Sequence, residues 1–208
     1  MKHKNLLLQG DIGIGKSTII IDAIMPYIDC VGGYYTQRIL KNKQKVGFLI
    51  NPIENIKADS LNRDIEDIKS EEKQRVFICK NSNETWSFNY EVFARYSMEY
   101  LSESLRQGKK LLIVDELGGA ELRLDYFFQY MAKIFISNTP VLGVLKSRYD
   151  FQKLKNATLS KATYENVEEF TRLIRQKSQI ILLTPEVDNN DVASQVRAFV
   201  KRSIITAD

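Results

Sequence analysis

Asn5 to Thr18 reads NLLLQGDIGIGKST, and the fold turns on how that stretch is interpreted. The apolar run Leu6-Leu7-Leu8 leads into Gly10, Asp11, Ile12, Gly13, Ile14, Gly15, Lys16 and Ser17, which satisfies G-x-x-x-x-G-K-[ST], the phosphate-binding loop. Glycines in such a loop let successive backbone N–H groups turn inward and cup phosphate oxygens. The positive end of the following helix adds to the field. Gly10 through Thr18 are therefore the expected nucleotide-binding residues, with Lys16 reaching the β- and γ-phosphates and the Ser17 hydroxyl holding Mg²⁺. A glycine turn before a helix also arises by chance, but the flanks here are those the motif needs. A strand-like run precedes it, and Ile20, Ala23, Ile24 and Tyr27 follow at helical spacing, with Pro26 near the helix end.

A phosphate loop binds; hydrolysis needs more. Leu111-Leu112-Ile113-Val114-Asp115-Glu116 supplies it, four apolar residues for a buried strand and then two carboxylates at its C-terminal end, where open α/β sheets place ligands. Asp115 is the expected Mg²⁺ partner, usually through coordinated water. Glu116 is placed to orient or deprotonate an attacking water, so Glu116 and Lys16 are the catalytic candidates. Read alone, the stretch is as well explained by a strand ending in two solvated acids; the loop upstream is what pairs it with a nucleotide. A further cation near the γ-phosphate would aid phosphoryl transfer, and Arg38, Arg123, Lys146 and Arg148 are the candidates, each otherwise a solvated surface charge. Glu121 reads as a charge at a helix N-terminus.

Between these blocks, Gly32-Gly33-Tyr34-Tyr35-Thr36 and Val46-Gly47-Phe48-Leu49-Ile50 flank the polar turn Lys41-Asn42-Lys43-Gln44, which predicts a β-hairpin. Tyr34 and Tyr35 fit core packing better than base stacking. Asn51 to Arg75 alternates in charge and reads as a solvated loop or short helix, or else a segment that docks a partner. Val76–Cys79 and Thr85–Phe88 predict two short strands around a turn, with Trp86 packed. Asn89 is a plausible N-cap for a helix carrying Phe93, Tyr96, Tyr100, Leu101 and Leu105, stopped by Gly108. A helix over about Leu122–Ile136, the strand Val141–Leu145, a polar stretch, and a helix with Val167, Phe170 and Ile174 follow. The continuous apolar strand Ile180–Leu183 and a C-terminal helix with Val192, Val196, Phe199 and Val200 complete the chain. Unbroken apolar strands alternating with amphipathic helices give an α/β fold: a three-layer α/β/α sandwich, mainly parallel, with an added hairpin. Residues 1–208 are expected to form one domain, with a β-rich insertion at about 31–88.

Hydrophobic residues make up 44% and charged residues 27%, ordinary for a soluble globule. No run approaches a membrane span, and the N-terminus lacks the layout of an export signal. Cys30 and Cys79 form no metal-ligand spacing and read as reduced thiols, which places the protein in the cytoplasm. The net charge of +4 suits an anionic nucleotide, but acidic residues interleave with the basic ones, so nucleic acid is unsupported as a partner.

Four blocks, spread over nearly the whole length, resemble the small P-loop nucleoside-triphosphatase family that includes the cancer-related nucleoside-triphosphatase. GDIGIGKST resembles the family's G-x-P-G-x-G-K-T-T loop. GGYYTQR and the later VGF resemble its hairpin, typically G-F-x-T-E-E followed by a G-F pair. VDELGGAEL resembles D-E-I-G-x-M-E-L, the most specific block, and TPVLGVL resembles the P-V-L strand after it. The resemblance implies slow Mg²⁺-dependent hydrolysis of ATP, GTP and other nucleoside triphosphates to diphosphate and phosphate, with loose base selectivity. The chain departs from the pattern at Ile12, where the family has proline and loop stiffness alone should change. Gln37 and Arg38 replace glutamates, so an acidic role there does not carry over, and Gly119 and Ala120 replace a bulkier pair. Residues 51–83 and 146–163 match poorly. Asn189-Asn190-Asp191 resembles an Asn-Arg-Asp stretch of the family, readable as a turn over the base or as a helix N-cap.

Two other functions fit the same loop. A nucleoside, nucleotide or polynucleotide kinase would need an acceptor pocket and an arginine-bearing lid, for which Arg148 and Arg172–Arg175 are the candidates. A nucleotide-gated binding module would use hydrolysis to reset a conformation.

Overall fold

The three-leucine run becomes a central strand because both faces of the sheet are covered. The computed structural model describes residues 3–57, 61–146 and 161–205. Its strands are β1 (Asn5–Gly10), β2 (Val31–Lys41), β3 (Gln44–Pro52), β4 (Asn62–Asp64), β5 (Val76–Lys80), β6 (Trp86–Phe88), β7 (Leu111–Leu117), β8 (Val141–Leu145) and β9 (Ser178–Leu183). They form one sheet in the order β6-β5-β3-β2-β7-β8-β1-β9, with β4 beside β2. β9, β1, β8, β7 and the first part of β2 run parallel, and β3, β5 and β6 extend the sheet antiparallel.

Side chains alternate across a strand, so each central strand feeds two cores. Leu6, Leu8, Leu111 and Ile113 pack with α1 (Lys16–Ile24) and α5 (Asn189–Ile205), through Ile20, Ile24, Val196 and Val200. Leu7, Leu112 and Val114 face α2 (Tyr90–Arg106), α3 (Asp125–Ile136) and α4 (Lys161–Lys177), through Phe93, Leu101, Phe127, Met131 and Phe170. The expected three layers and mainly parallel sheet are therefore present. Parallel strands end on one side, which puts the tips of β1 and β7 together with only β8 between them.

The predicted hairpin is longer at both ends, and Asn42 and Lys43 turn it with φ of 50° and 64°. Tyr34 and Tyr35 are core residues. Asn89 caps α2 as anticipated, its Oδ1 accepting from Val92 N–H at 3.1 Å. At Gly33, where β2 crosses β7, φ is 106° and an added Cβ would sit 2.1 Å from Ile113 O, so no other residue fits.

Other expectations change. Asn51–Arg75, apart from 58–60 outside the described residues, is largely exposed and does form short helices, the 3₁₀ turns Ile53–Asn55, Ile65–Asp67 and Ser70–Arg75. It is docked on the hairpin rather than loose. Ile53, Ile56 and Ile68 are buried, and Glu72 holds both Arg63 and Arg75 at 2.8 Å. Arg75 continues to Asn51 Oδ1 at 2.7 Å, and Asn51 Nδ2 donates to Gln37 Oε1 at 3.1 Å, which straps the segment to the hairpin. Trp86 is 48% exposed because β6 is the sheet's outer edge. β9 is the opposite edge, so Leu182 of its apolar run is 57% exposed. The helix expected from Leu122 starts at Asp125, after a 3₁₀ turn over Ala120–Arg123. Asp188, rather than the following Asn-Asn pair, caps α5 by accepting from Asn190 N–H at 2.8 Å. Residues 147–160, with Arg148, lie outside the described residues.

Asn5 is fully buried and ties four elements. Its Nδ2 donates to Phe135 O (3.0 Å) and Lys177 O (3.2 Å), and its Oδ1 accepts from Val141 N–H (3.1 Å). Asn5→Leu leaves those backbone groups buried and unpaired, and should lower unfolding free energy by about 3 kcal/mol. Urea denaturation with an unchanged slope is the check; a midpoint equal to wild type would refute the assignment.

Candidate active site

The loop between β1 and α1 takes its shape from its glycines. Gly15, the residue before the first turn of α1, has φ of 101°, a left-handed conformation that turns the backbone amides inward. Ile12 stands out at the loop tip. Lys16 is 8% exposed and its Nζ lies back over the loop, donating to Gly10 O and Asp11 O, both at 2.7 Å.

The two halves predicted from sequence meet through one hydrogen bond. Ser17 Oγ donates to Asp115 Oδ1 at 3.0 Å, across 98 residues of chain. The second carboxylate oxygen, Oδ2, accepts from Thr36 N–H at 3.0 Å and from Thr36 Oγ at 3.2 Å. Loop, Asp115, Glu116 and Thr36 line one cleft of about 190 Å³, whose far wall carries Arg38, Lys45, Phe48 and Leu61. Burial pushes the Asp115 carboxyl up, and the hydrogen bonds from Thr36 and Ser17 and the charge of Arg38 pull it back down.

Glu116 is the extra residue of a bulge: Asp115 pairs with Val144 and Leu117 with Leu145, leaving Glu116 unpaired between them. Its φ of 148° is unusual for a residue with a Cβ, and it re-aims the side chain into the cleft. Burial raises its carboxyl, Lys146 opposes the rise, and Asp115 and Glu121 add to it.

Three further candidates land elsewhere. Glu121 does sit in the first turn of the 3₁₀ helix, as expected, but is fully buried rather than solvated. Its Oε1 accepts from Gly118 N–H (2.9 Å) and Gly119 N–H (2.6 Å), which closes the turn after β7. Lys146 lies 3.6 Å from Glu121 Oε2 and over the Phe88 ring, outside the residues that line the cleft. Arg123 is exposed, over Tyr90. Thr36 escaped the sequence reading, although the signal was there: a hydroxyl on a predicted strand that had to lie beside the acidic one. Lys45, Phe48 and Leu61 escaped it because their approach depends on how the hairpin folds over the loop.

A hydroxyl and a carboxylate oxygen side by side suit a hard divalent cation that completes its shell with phosphate oxygens and water. Among the described residues, no group of three or more His, Cys, Asp or Glu side chains could hold a metal unaided, and Cys30 and Cys79 do not line the cleft. The pair Ser17 and Asp115 thus suits a divalent cation that takes its remaining ligands from outside the described side chains.

A sequence model of the NTPase family matches residues 5–182, from β1 to β9. The chain belongs to the NTPase family. The match joins the loop and the β7 carboxylates in one family pattern, as the four sequence blocks anticipated. Among curated relatives in this family, the nucleoside-triphosphatase THEP1 of Thermotoga maritima is 26% identical over 153 residues, covering 73% of this chain and 80% of its own length. The one from Natranaerobius thermophilus is 26% identical over 159 residues, 75% and 84% of the two lengths. Two solved NTPase structures share the fold. THEP1 from Aquifex aeolicus has a TM-score of 0.62 at 20% identity, over 95% of this chain and 99% of that one. A human cancer-related nucleoside triphosphatase has a TM-score of 0.60 at 16% identity, over 98% and 99%.

The raised Glu116 carboxyl makes a pH prediction. An acid whose folded pKa exceeds its unfolded one destabilises the fold once ionised, and the penalty grows as pH rises from the unfolded pKa through the folded one. Glu116→Gln should therefore be more stable than wild type at pH 7–8, with the gain vanishing as pH falls below the ordinary glutamate range. Thermal unfolding across pH tests this; a pH-independent difference would remove the burial argument.

Proposed function

We propose that this chain is a Mg²⁺-dependent nucleoside-triphosphatase that hydrolyses ATP, GTP and other nucleoside triphosphates to the diphosphate and phosphate. The Ser17–Asp115 hydrogen bond carries the reading, since it brings a hydroxyl and a carboxylate together at the mouth of a phosphate loop. Family membership and the names of the curated relatives support it.

Gly10 through Thr18 bind the phosphates, through backbone amides and the field of α1. Lys16 exchanges its loop carbonyls for β- and γ-phosphate oxygens. Ser17 and, through water, Asp115 would hold Mg²⁺, which supplies charge neutralisation at the phosphates when bound. Thr36 fixes Asp115 from the opposite side. Glu116 takes a proton from the attacking water as its oxygen bonds the γ-phosphorus and the bond to the diphosphate oxygen breaks. Its raised pKa makes it a stronger base than a solvated glutamate. The two free cysteines, Cys30 and Cys79, are in keeping with a cytoplasmic setting, and no described helix is long and apolar enough to cross a membrane.

Incubation with γ-labelled ATP or GTP and Mg²⁺ is the test. Free phosphate without any acceptor supports hydrolysis. Label transferred to an added nucleoside or oligonucleotide would make the chain a kinase, and release that needs a macromolecule would make it a gated module. Lys16→Ala should lose triphosphate affinity and turnover together. Glu116→Gln should keep binding and lose about 10²-fold or more in kcat; undiminished turnover would take Glu116 out of the mechanism.

A further inference from the structure

Most cations around the hairpin are already engaged. Arg63 and Arg75 share Glu72, Lys146 is with Glu121, Arg123 lies over Tyr90, and Lys45 sits above the Phe48 and Trp86 rings. Arg38 is different. Its guanidinium is half-buried, lines the cleft, and has no hydrogen bond or ion pair among the described residues.

Its backbone, in contrast, is fixed from both edges. Arg38 pairs with Phe48 on β3 and with Asn62 on β4, and its N–H donates to Leu61 O at 2.9 Å. Side chains two apart on a strand share a face. Thr36, two residues earlier, turns its hydroxyl to Asp115, so Arg38 projects from the same face into the same cleft. Gln37, between them, points the other way and bonds Asn51. The guanidinium faces the Asp115 charge across the cleft but bonds no carboxylate among the described residues, so its donors are presented to the cleft. Its planar fork matches two oxygens of a phosphoryl group. The charge balance also calls for it: a triphosphate carries more negative charge than one divalent cation and Lys16 neutralise, and Asp115 and Glu116 add to the excess.

We infer that Arg38 is a catalytic cation of this site, supplied in cis from the hairpin, whose N–H groups hold non-bridging oxygens of the γ-phosphoryl group during transfer. The inference rests on the triphosphatase reading above. Arg38 remains protonated throughout. The water oxygen bonds phosphorus, the bond to the diphosphate oxygen breaks, the water proton goes to Glu116, and the guanidinium stabilises charge on the equatorial oxygens. Lys45 does not fill this role, since it is exposed and occupied by two rings.

The test compares wild type, Arg38→Ala, Arg38→Lys and Lys16→Ala in Mg²⁺-dependent hydrolysis of ATP and GTP, with affinity for a non-hydrolysable triphosphate measured in parallel. Arg38→Ala should lose about 10²-fold or more in kcat, as expected for a cation acting on transition-state charge. KM and analogue affinity should change by less than about 3-fold. Arg38→Lys keeps the charge without the fork and should recover only part of kcat, which also serves if the alanine variant folds poorly. Added guanidinium ion should raise turnover of Arg38→Ala and not of Lys16→Ala. Wild-type kcat in Arg38→Ala, or a loss lying wholly in KM, would overturn the assignment. If Lys16→Ala is inactive in that case, only the role of Arg38 falls; if Lys16→Ala also turns over normally, this cleft is not where hydrolysis occurs, and if wild type releases no phosphate, the triphosphatase reading itself falls.

Discussion

A buried carboxylate keeps its charge only where its oxygens are occupied, and Asp115, 5% exposed, meets that condition through two distant stretches of chain. Ser17 takes one oxygen from the loop that follows β1, and Thr36 takes the other, with both amide and hydroxyl, from the long hairpin strand. The rest of the architecture serves that arrangement. β8 spaces β1 and β7 so that their ends share one side, and Gly33 lets β2 close on β7. Asn5 anchors the other end of β1 to β8, α3 and α4.

The site is assembled against local stability. Glu116 is half-buried at an unusual φ in a bulge; Glu121 is buried and used to hold two glycine amides; Tyr34 has a buried hydroxyl with no hydrogen-bond partner among the described residues. Burial and the negative charges of Glu121, Asp115 and Glu116 all push the Tyr34 hydroxyl well up. Strain and uncompensated polarity of this kind are tolerated where surrounding packing over-determines them. Here the two apolar cores do so, meeting the sheet from both faces.

The sequence made the parallel centre legible because Leu6–Leu8, Leu111–Val114 and Val141–Leu145 are apolar on both faces, and that pattern has few other solutions. The loop was legible for a similar reason, since its residues act through backbone shape that the glycines announce. Glu121 and Lys146 were not. A charge beside an apolar run looks solvated until the turn that buries it is known, and here two glycine amides make that burial tolerable. Thr36, Lys45 and Phe48 depended on hairpin register, which the turn at Asn42-Lys43 and a bulge near Ile39 set together. Trp86 misled because aromatic residues on strands usually pack, whereas β6 closes the sheet at its edge.

The central claim is that loop and β7 act on one metal-bound triphosphate, and a double-mutant cycle measures it. Mg²⁺-dependent affinity for a non-hydrolysable triphosphate is determined for wild type, Ser17→Ala, Asp115→Asn and the double variant. Each single change should weaken binding, and the double loss should fall short of their sum by at least about 1 kcal/mol. Losses that add to within about 0.3 kcal/mol, or an Asp115→Asn protein that binds as wild type does, would contradict the account.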